Sequence, residues 1–156
     1  KKEDVNDFDD DQLERAFNAC VKFIQTMPKD GPIKTPIEDQ LRAYALFKQA
    51  TIGPCNTEKP PIYHPIDRFK WNVWNSLGNM SRRDAMREYI VNFIKRTECN
   101  YEKHYKDIPG WITDKKYAEL RQFVRDHKDD FGITCMNTLQ GVLELTVIGK
   151  NLGFEV

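Results

Sequence analysis

Proline and glycine cut this chain into stretches whose apolar residues repeat at helical spacing, and that pattern points to an all-α fold. Leu13, Phe17, Cys20, Val21, Ile24 and Met27 recur at three- and four-residue steps and stop at Pro28. Asp11, with Glu14 three residues on, reads as the capping pair that opens this first helix, and the acidic residues 1–10 before it are expected to fray. Three prolines and Asp30-Gly31 make the stretch from Pro28 to Pro36 a loop. Thr35-Pro36-Ile37-Glu38 then joins a capping threonine, a proline in the first helical position and a glutamate that closes the box. The second helix so begun runs to about Ile52, where Gly53-Pro54 halts it.

The loop from Gly53 to His64 holds Pro54, Pro60 and Pro61 and has no strand pattern. Pro65 opens a short third helix that ends at Gly78, with proline just inside the start and glycine just past the end. Ser81 to Asp84 is a further capping box, and Ala85, Met86, Tyr89, Ile90, Phe93 and Ile94 behind it make a fourth amphipathic face. After about Asn100 the text changes. Pro109-Gly110 breaks the pattern, and Thr113 caps a fifth helix with Tyr117, Leu120, Phe123, Val124 and His127, ended by Gly132. Residues 135–152 read as a short sixth helix, although Thr146 and Val147-Ile148-Gly149 also fit a strand. The expected organisation is a four-helix domain over residues 8–100 and a mostly helical C-terminal extension over residues 101–156.

Composition narrows the function classes. With 40% apolar and 31% charged residues the chain is a soluble globular protein, and its formal net charge of zero argues against a nucleic-acid partner. It contains no run of about 18 apolar residues, so no transmembrane segment is expected. Charge is nonetheless uneven: acids crowd residues 3–14, whereas Arg68, Lys70, Arg82, Arg83 and Arg87 gather later, where an anionic ligand is best sought. Cys20, Cys55, Cys99 and Cys135 stand far apart without a Cys-x-x-Cys pair and read as reduced cytosolic thiols. His64, His104 and His127 have no metal-ligand spacing, so no metal or cofactor is expected. The chain also lacks a Gly-x-Ser-x-Gly nucleophile setting.

Within the second helix, Tyr44, Phe47 and Lys48 share a face by their three- and four-residue spacing. Two rings and an ammonium on one stripe suit a ligand with a planar base and phosphates, although such a stripe by itself more often belongs to a helix whose rings face a core. Trp74 reads as core. Trp71, three residues earlier, fits either a core or a ligand contact, and Arg82, Arg83 and Arg87 read as a solvated face. Glu38, Asp39 and Asp84 look like caps and surface, not a catalytic pair.

Tyr44-Ala-Leu-Phe-Lys-Gln-Ala-Thr51-Ile-Gly, Lys70-Trp71-Asn72-Val73-Trp74-Asn75 and Asp84-Ala-Met-Arg-Glu-Tyr89-Ile, in this order, resemble the acyl-CoA-binding protein family over roughly residues 13–97. The resemblance implies a four-helix bundle that holds long-chain acyl-CoA esters without transforming them. Tyr44, Lys48, Lys70 and Tyr89 stand at positions that contact the CoA head group in that family. Phe47 stands where the family usually has a second tyrosine, so any hydrogen bond from that hydroxyl is lost. Trp71, with Met27, Lys29 and Ile33 from the loop after the first helix, completes the candidate ligand-binding set. The long loop from Met27 to Ile33, Gly53-Pro54-Cys55 and His64-Pro65-Ile66-Asp67 look more like the larger, multi-part members than the minimal ones.

Three functions follow. The first is a non-enzymatic intracellular carrier or buffer of acyl-CoA, cytoplasmic, with room for peripheral association with organelles. The second is an adaptor whose residues 101–156 bind a protein or membrane partner, with the bundle as sensor or scaffold. The third, a delivery module detached from an acyl-CoA enzyme, leaves this chain without catalytic activity, because the extension is too short for a catalytic domain.

Overall fold

A computed structural model of the chain describes residues 4–27, 35–104 and 115–151. Six α-helices follow one another with no strand among the described residues: α1 Asp10–Thr26, α2 Ile37–Thr51, α3 Pro65–Asn75, α4 Arg82–His104, α5 Ala118–Asp126 and α6 Lys128–Asn151. The expected all-α fold is therefore observed. The chain groups into two compact units, Lys34–Asn92 in one and Lys1–Ile33 with Phe93–Val156 in the other. The boundary expected at Asn100 marks where the motifs end; as a division into domains it stands as a proposal.

In the unit of residues 34–92, α2 packs on α3. Ala45, Leu46, Gln49, Ala50, Trp74, Ala85, Tyr89 and Ile90 are buried there. Gly53 at φ 107° follows α2, and Pro54 next to it cannot continue a helix, so the chain turns away as the sequence predicts. The loop that follows is fastened to helix side chains. Trp74 Nε1 donates to the Gly53 carbonyl at 2.9 Å, Trp71 Nε1 to Thr57 at 2.9 Å, and Arg68 Nη1 to Pro60 at 3.0 Å. Arg82 Nη2 donates to the Ile52 carbonyl at 2.8 Å and satisfies the C-terminal end of α2. Gln49, fully buried, donates to the carbonyls of Gly78 and Met80 at 3.0 and 2.8 Å, which ties the α3–α4 connection to α2. Ser81 Oγ accepts the Asp84 N–H, the N-terminal cap the sequence predicts.

The other unit is built on α1, α5 and α6, with α1 against both of the others. Phe131 is its hub: wholly buried, it meets Phe23 and Phe123 edge-on at 6.3 and 6.0 Å between ring centres and lies stacked on Phe93 at 6.3 Å. Leu13, Ala16, Phe17, Cys20, Leu120, Val124, Cys135 and Leu139 are buried in the same unit.

Several local expectations need correction. The cap of α1 is Asp9, boxed with Gln12, in place of Asp11 with Glu14, because the helix starts two residues earlier. The segment before it is not frayed: Val5–Asp7 form a 3-10 turn capped by Asp4, and Val5 and Phe8 are buried. Thr35 does not cap α2; Pro36 occupies that place without a side-chain bond, and the Thr35 carbonyl accepts from Gln40 Nε2 instead. The fifth helix ends at Asp126 with His127 as its cap, and the His127 ring lies against Phe123 of that face at 4.4 Å between ring centres. Gly132, at φ 80°, breaks α6 near its start and does not terminate α5. The expected cap Thr113 lies outside the described residues. The strand alternative for residues 135–152 falls, since α6 reaches Asn151.

Candidate functional site

The α2–α3 contact gathers side chains that are remote in sequence. Tyr44 is half-buried on α2, and two ammonium groups stand near its ring: Lys48 Nζ at 6.0 Å and Lys70 Nζ at 5.4 Å from the ring centre. Lys48 lies one helical turn after Tyr44, so α2 alone brings this pair together. Lys70 comes from α3, and only packing brings it in. Lys48 Nζ is also 5.1 Å from the centre of the Trp74 ring, so this core tryptophan turns one face to the cation. Cation–ring contacts of this kind contribute about 0.5–1 kcal/mol each at exposed sites, which orients the lysines while leaving their charge available to an anion.

Trp71 is half-buried and held by its bond to Thr57, with Lys59 Nζ 5.9 Å from its ring centre. Lys59 was not among the residues the sequence suggested; the course of the loop brings it in, and spacing carries no signal of that. Asp67 and Cys55 were missed as well. Burial first, then the Asp67 carboxylate and, at the alkaline pH where it ionises, the Cys55 thiolate push the Tyr44 phenol up. Like any phenol it is protonated at neutral pH and can donate to a phosphate oxygen. Asp67 could have been suspected, for it precedes Lys70 by three residues on α3 and shares a face with it.

The structure thus brings Tyr44, Lys48 and Lys70 together. Phe47 is half-buried one turn before Thr51, whose hydroxyl donates to the Phe47 carbonyl at 2.7 Å. Tyr89 is buried at 7% exposure on α4. Met27 is half-buried at the C-terminal cap of α1, in the other unit. Lys29 and Ile33 lie outside the described residues. Of the expected basic group, Arg68 and Arg82 are engaged with backbone carbonyls and Arg87 pairs with Asp84 at 2.7 Å, while Lys70 stands near the Tyr44 ring with Lys48. Among the described residues there is no group of three or more metal-ligating side chains, and no helix is long and apolar enough to cross a membrane.

The fold is all-α, and its site sets lysines over aromatic rings. The family model "Acyl CoA binding protein" matches residues 14–93, and the chain belongs to that family. It is 38% identical over 140 residues to acyl-CoA-binding domain-containing protein 5 of Xenopus laevis, across 86% of this chain and 28% of the relative. Human acyl-CoA-binding domain-containing protein 4 is 48% identical over 78 residues, 50% of this chain and 29% of the relative. The chain therefore spans less than a third of the length of these larger relatives. Since the first alignment takes in 86% of the chain, similarity continues beyond Asn100, where the sequence motifs fall silent. The crystal structure of the acyl-CoA-binding protein from Moniliophthora perniciosa superposes with a TM-score of 0.53 at 26% identity, covering 74% of this chain and 95% of that one.

Proposed function

We propose that the chain binds long-chain fatty acyl-CoA esters and carries or buffers them without chemical change. The observation that supports this most directly is the convergence of Lys48 and Lys70 on the Tyr44 ring, with the phenol kept protonated. Phosphates need cations and hydrogen-bond donors, and an adenine needs an aromatic face, worth about 1–3 kcal/mol per stacked base. On α3, beside Lys70, Ile66 and Phe69 are 61% and 57% exposed, apolar surface that an acyl chain would cover at about 0.8 kcal/mol per methylene. We place the activity in the cytoplasm, in keeping with four cysteines that are all free thiols.

Calorimetry with palmitoyl-CoA, palmitate and free CoA side by side tests the reading. Palmitoyl-CoA should bind far more tightly than either half alone; equal affinity for palmitoyl-CoA and palmitate overturns the head-group assignment. A second reading, an adaptor that engages a protein or membrane partner through residues 101–156, draws support from Ile133. It is 57% exposed on a shallow, open surface hollow lined also by Lys128, Asp129, Gly132 and Met136. A pure adaptor would give no heat with palmitoyl-CoA.

A further inference from the structure

Two of the four cysteines, far apart in the chain, meet in its interior. Cys20 on α1 and Cys135 on α6 are both 0% exposed, on helices that pack against each other, and the two thiols are near enough for each to act on the other's ionisation. No ligand or catalytic step proposed above uses them. Cys55 is half-buried and Cys99 exposed, so the chain carries two accessible thiols and one enclosed pair.

We propose that Cys20 and Cys135 are a redox-modification site, closing to an intramolecular disulfide when a peroxide is present. The bond would tie Cys20 of α1, inside the family-matched residues 14–93, to Cys135 of α6, outside them. In the first step one thiolate attacks a peroxide oxygen; the O–O bond breaks, hydroxide leaves and the sulfur becomes a sulfenic acid. The second thiolate then attacks that sulfur, the S–O bond breaks and a second hydroxide leaves. The two thiol protons join the two hydroxides as water, so two thiols are oxidised and one peroxide is reduced.

Enclosure governs the rate and the selectivity. Burial, and then the neighbouring Cys135, push the Cys20 thiol well up, so little of the reactive thiolate exists while the helices are closed. Oxidation must await local opening of the α1–α6 contact, which favours a small oxidant over a bulky disulfide. Once one sulfur is oxidised, its partner is already beside it and outcompetes thiols from other molecules. A cross-link between residues so far apart also restricts the unfolded chain strongly, so the oxidised form should melt at a higher temperature.

The test uses the full wild-type chain. The folded, reduced protein is treated with N-ethylmaleimide, then with hydrogen peroxide, and finally unfolded in iodoacetamide, digested and mapped by mass spectrometry. Cys55 and Cys99 should carry the maleimide, and the Cys20 and Cys135 peptides should appear joined, lighter by two hydrogens and separable by a reductant. The peroxide-treated sample should also unfold several degrees higher than its reduced control. Recovery of Cys20 and Cys135 as separate alkylated or over-oxidised peptides overturns the proposal, as does maleimide on either of them in the folded protein. These readouts are independent of acyl-CoA, so their failure would leave the ligand assignment untouched.

Discussion

The Lys70 ammonium lies 5.4 Å from the centre of the Tyr44 ring, an α3 cation set near an α2 aromatic. Lys48 approaches the same ring from one helical turn away. If phosphate groups sit between these charges, loss of one charge-assisted hydrogen bond costs about 1.5–3 kcal/mol. Lys48→Ala and Lys70→Ala should each weaken palmitoyl-CoA binding by about tenfold or more, with unchanged helical circular dichroism. Lys22→Ala and Lys95→Ala, at exposed positions, serve as controls. Equal losses in targets and controls would show that the site is misplaced.

Tyr44 contributes a ring and a hydroxyl that can be separated. Tyr44→Phe should cost about 0.5–1.5 kcal/mol of affinity, and Tyr44→Ala about 1–3 kcal/mol more through the lost stacking face. The phenol is raised above its ordinary value of 10.0 in the folded chain. Its contribution to stability is therefore complete below that pH and is lost as pH rises through the folded value. Ultraviolet difference titration of wild type against Tyr44→Phe should show the missing phenolate band with its midpoint above pH 10.0. A midpoint at or below 10.0 contradicts the arrangement.

Gln49 and Trp74 hold connections in place from inside the unit. Gln49→Leu strips donors from the Gly78 and Met80 carbonyls, and Trp74→Phe strips the donor from Gly53. Each buried group left unpaired costs about 1–3 kcal/mol. Urea unfolding should show both variants destabilised by at least that amount. Trp74→Phe should also weaken ligand binding slightly, since Lys48 loses the indole face it rests on.

Phe131→Ala removes the ring around which Phe23, Phe93 and Phe123 are arranged. Truncation of a buried phenylalanine costs about 3–5 kcal/mol, a large part of a domain's stability. Thermal unfolding followed by circular dichroism should show an early transition that wild type lacks. A variant that melts like wild type would mean that this aromatic cluster contributes little.

A fragment ending near Asn100 tests the role of the extension. It retains α2, α3, Tyr44, Lys48 and Lys70, so palmitoyl-CoA binding should persist. It loses α5 and α6, which pack on α1, and should therefore expose apolar surface, visible as dye binding or self-association. If a well-folded fragment no longer binds, the extension forms part of the pocket.

The sequence alone determined the first four helices and the break after α2, because helical periodicity, proline and positive-φ glycine act within a few residues of each other. The Tyr44–Lys48 pair was legible for the same reason, and so was the family, whose motifs run in order along the chain. Helix ends were read less well: whether Asp9 or Asp11 caps α1 depends on which residue the packed helix starts from. Only the tertiary structure decided the rest. Lys70 reaches Tyr44 because α3 packs on α2, Lys59 reaches Trp71 through the course of a loop, and Gln49 is buried because two carbonyls await it. Cys20 and Cys135 read as unrelated thiols in the sequence. Contacts between distant residues depend on which helix faces meet, and one-dimensional spacing does not encode that.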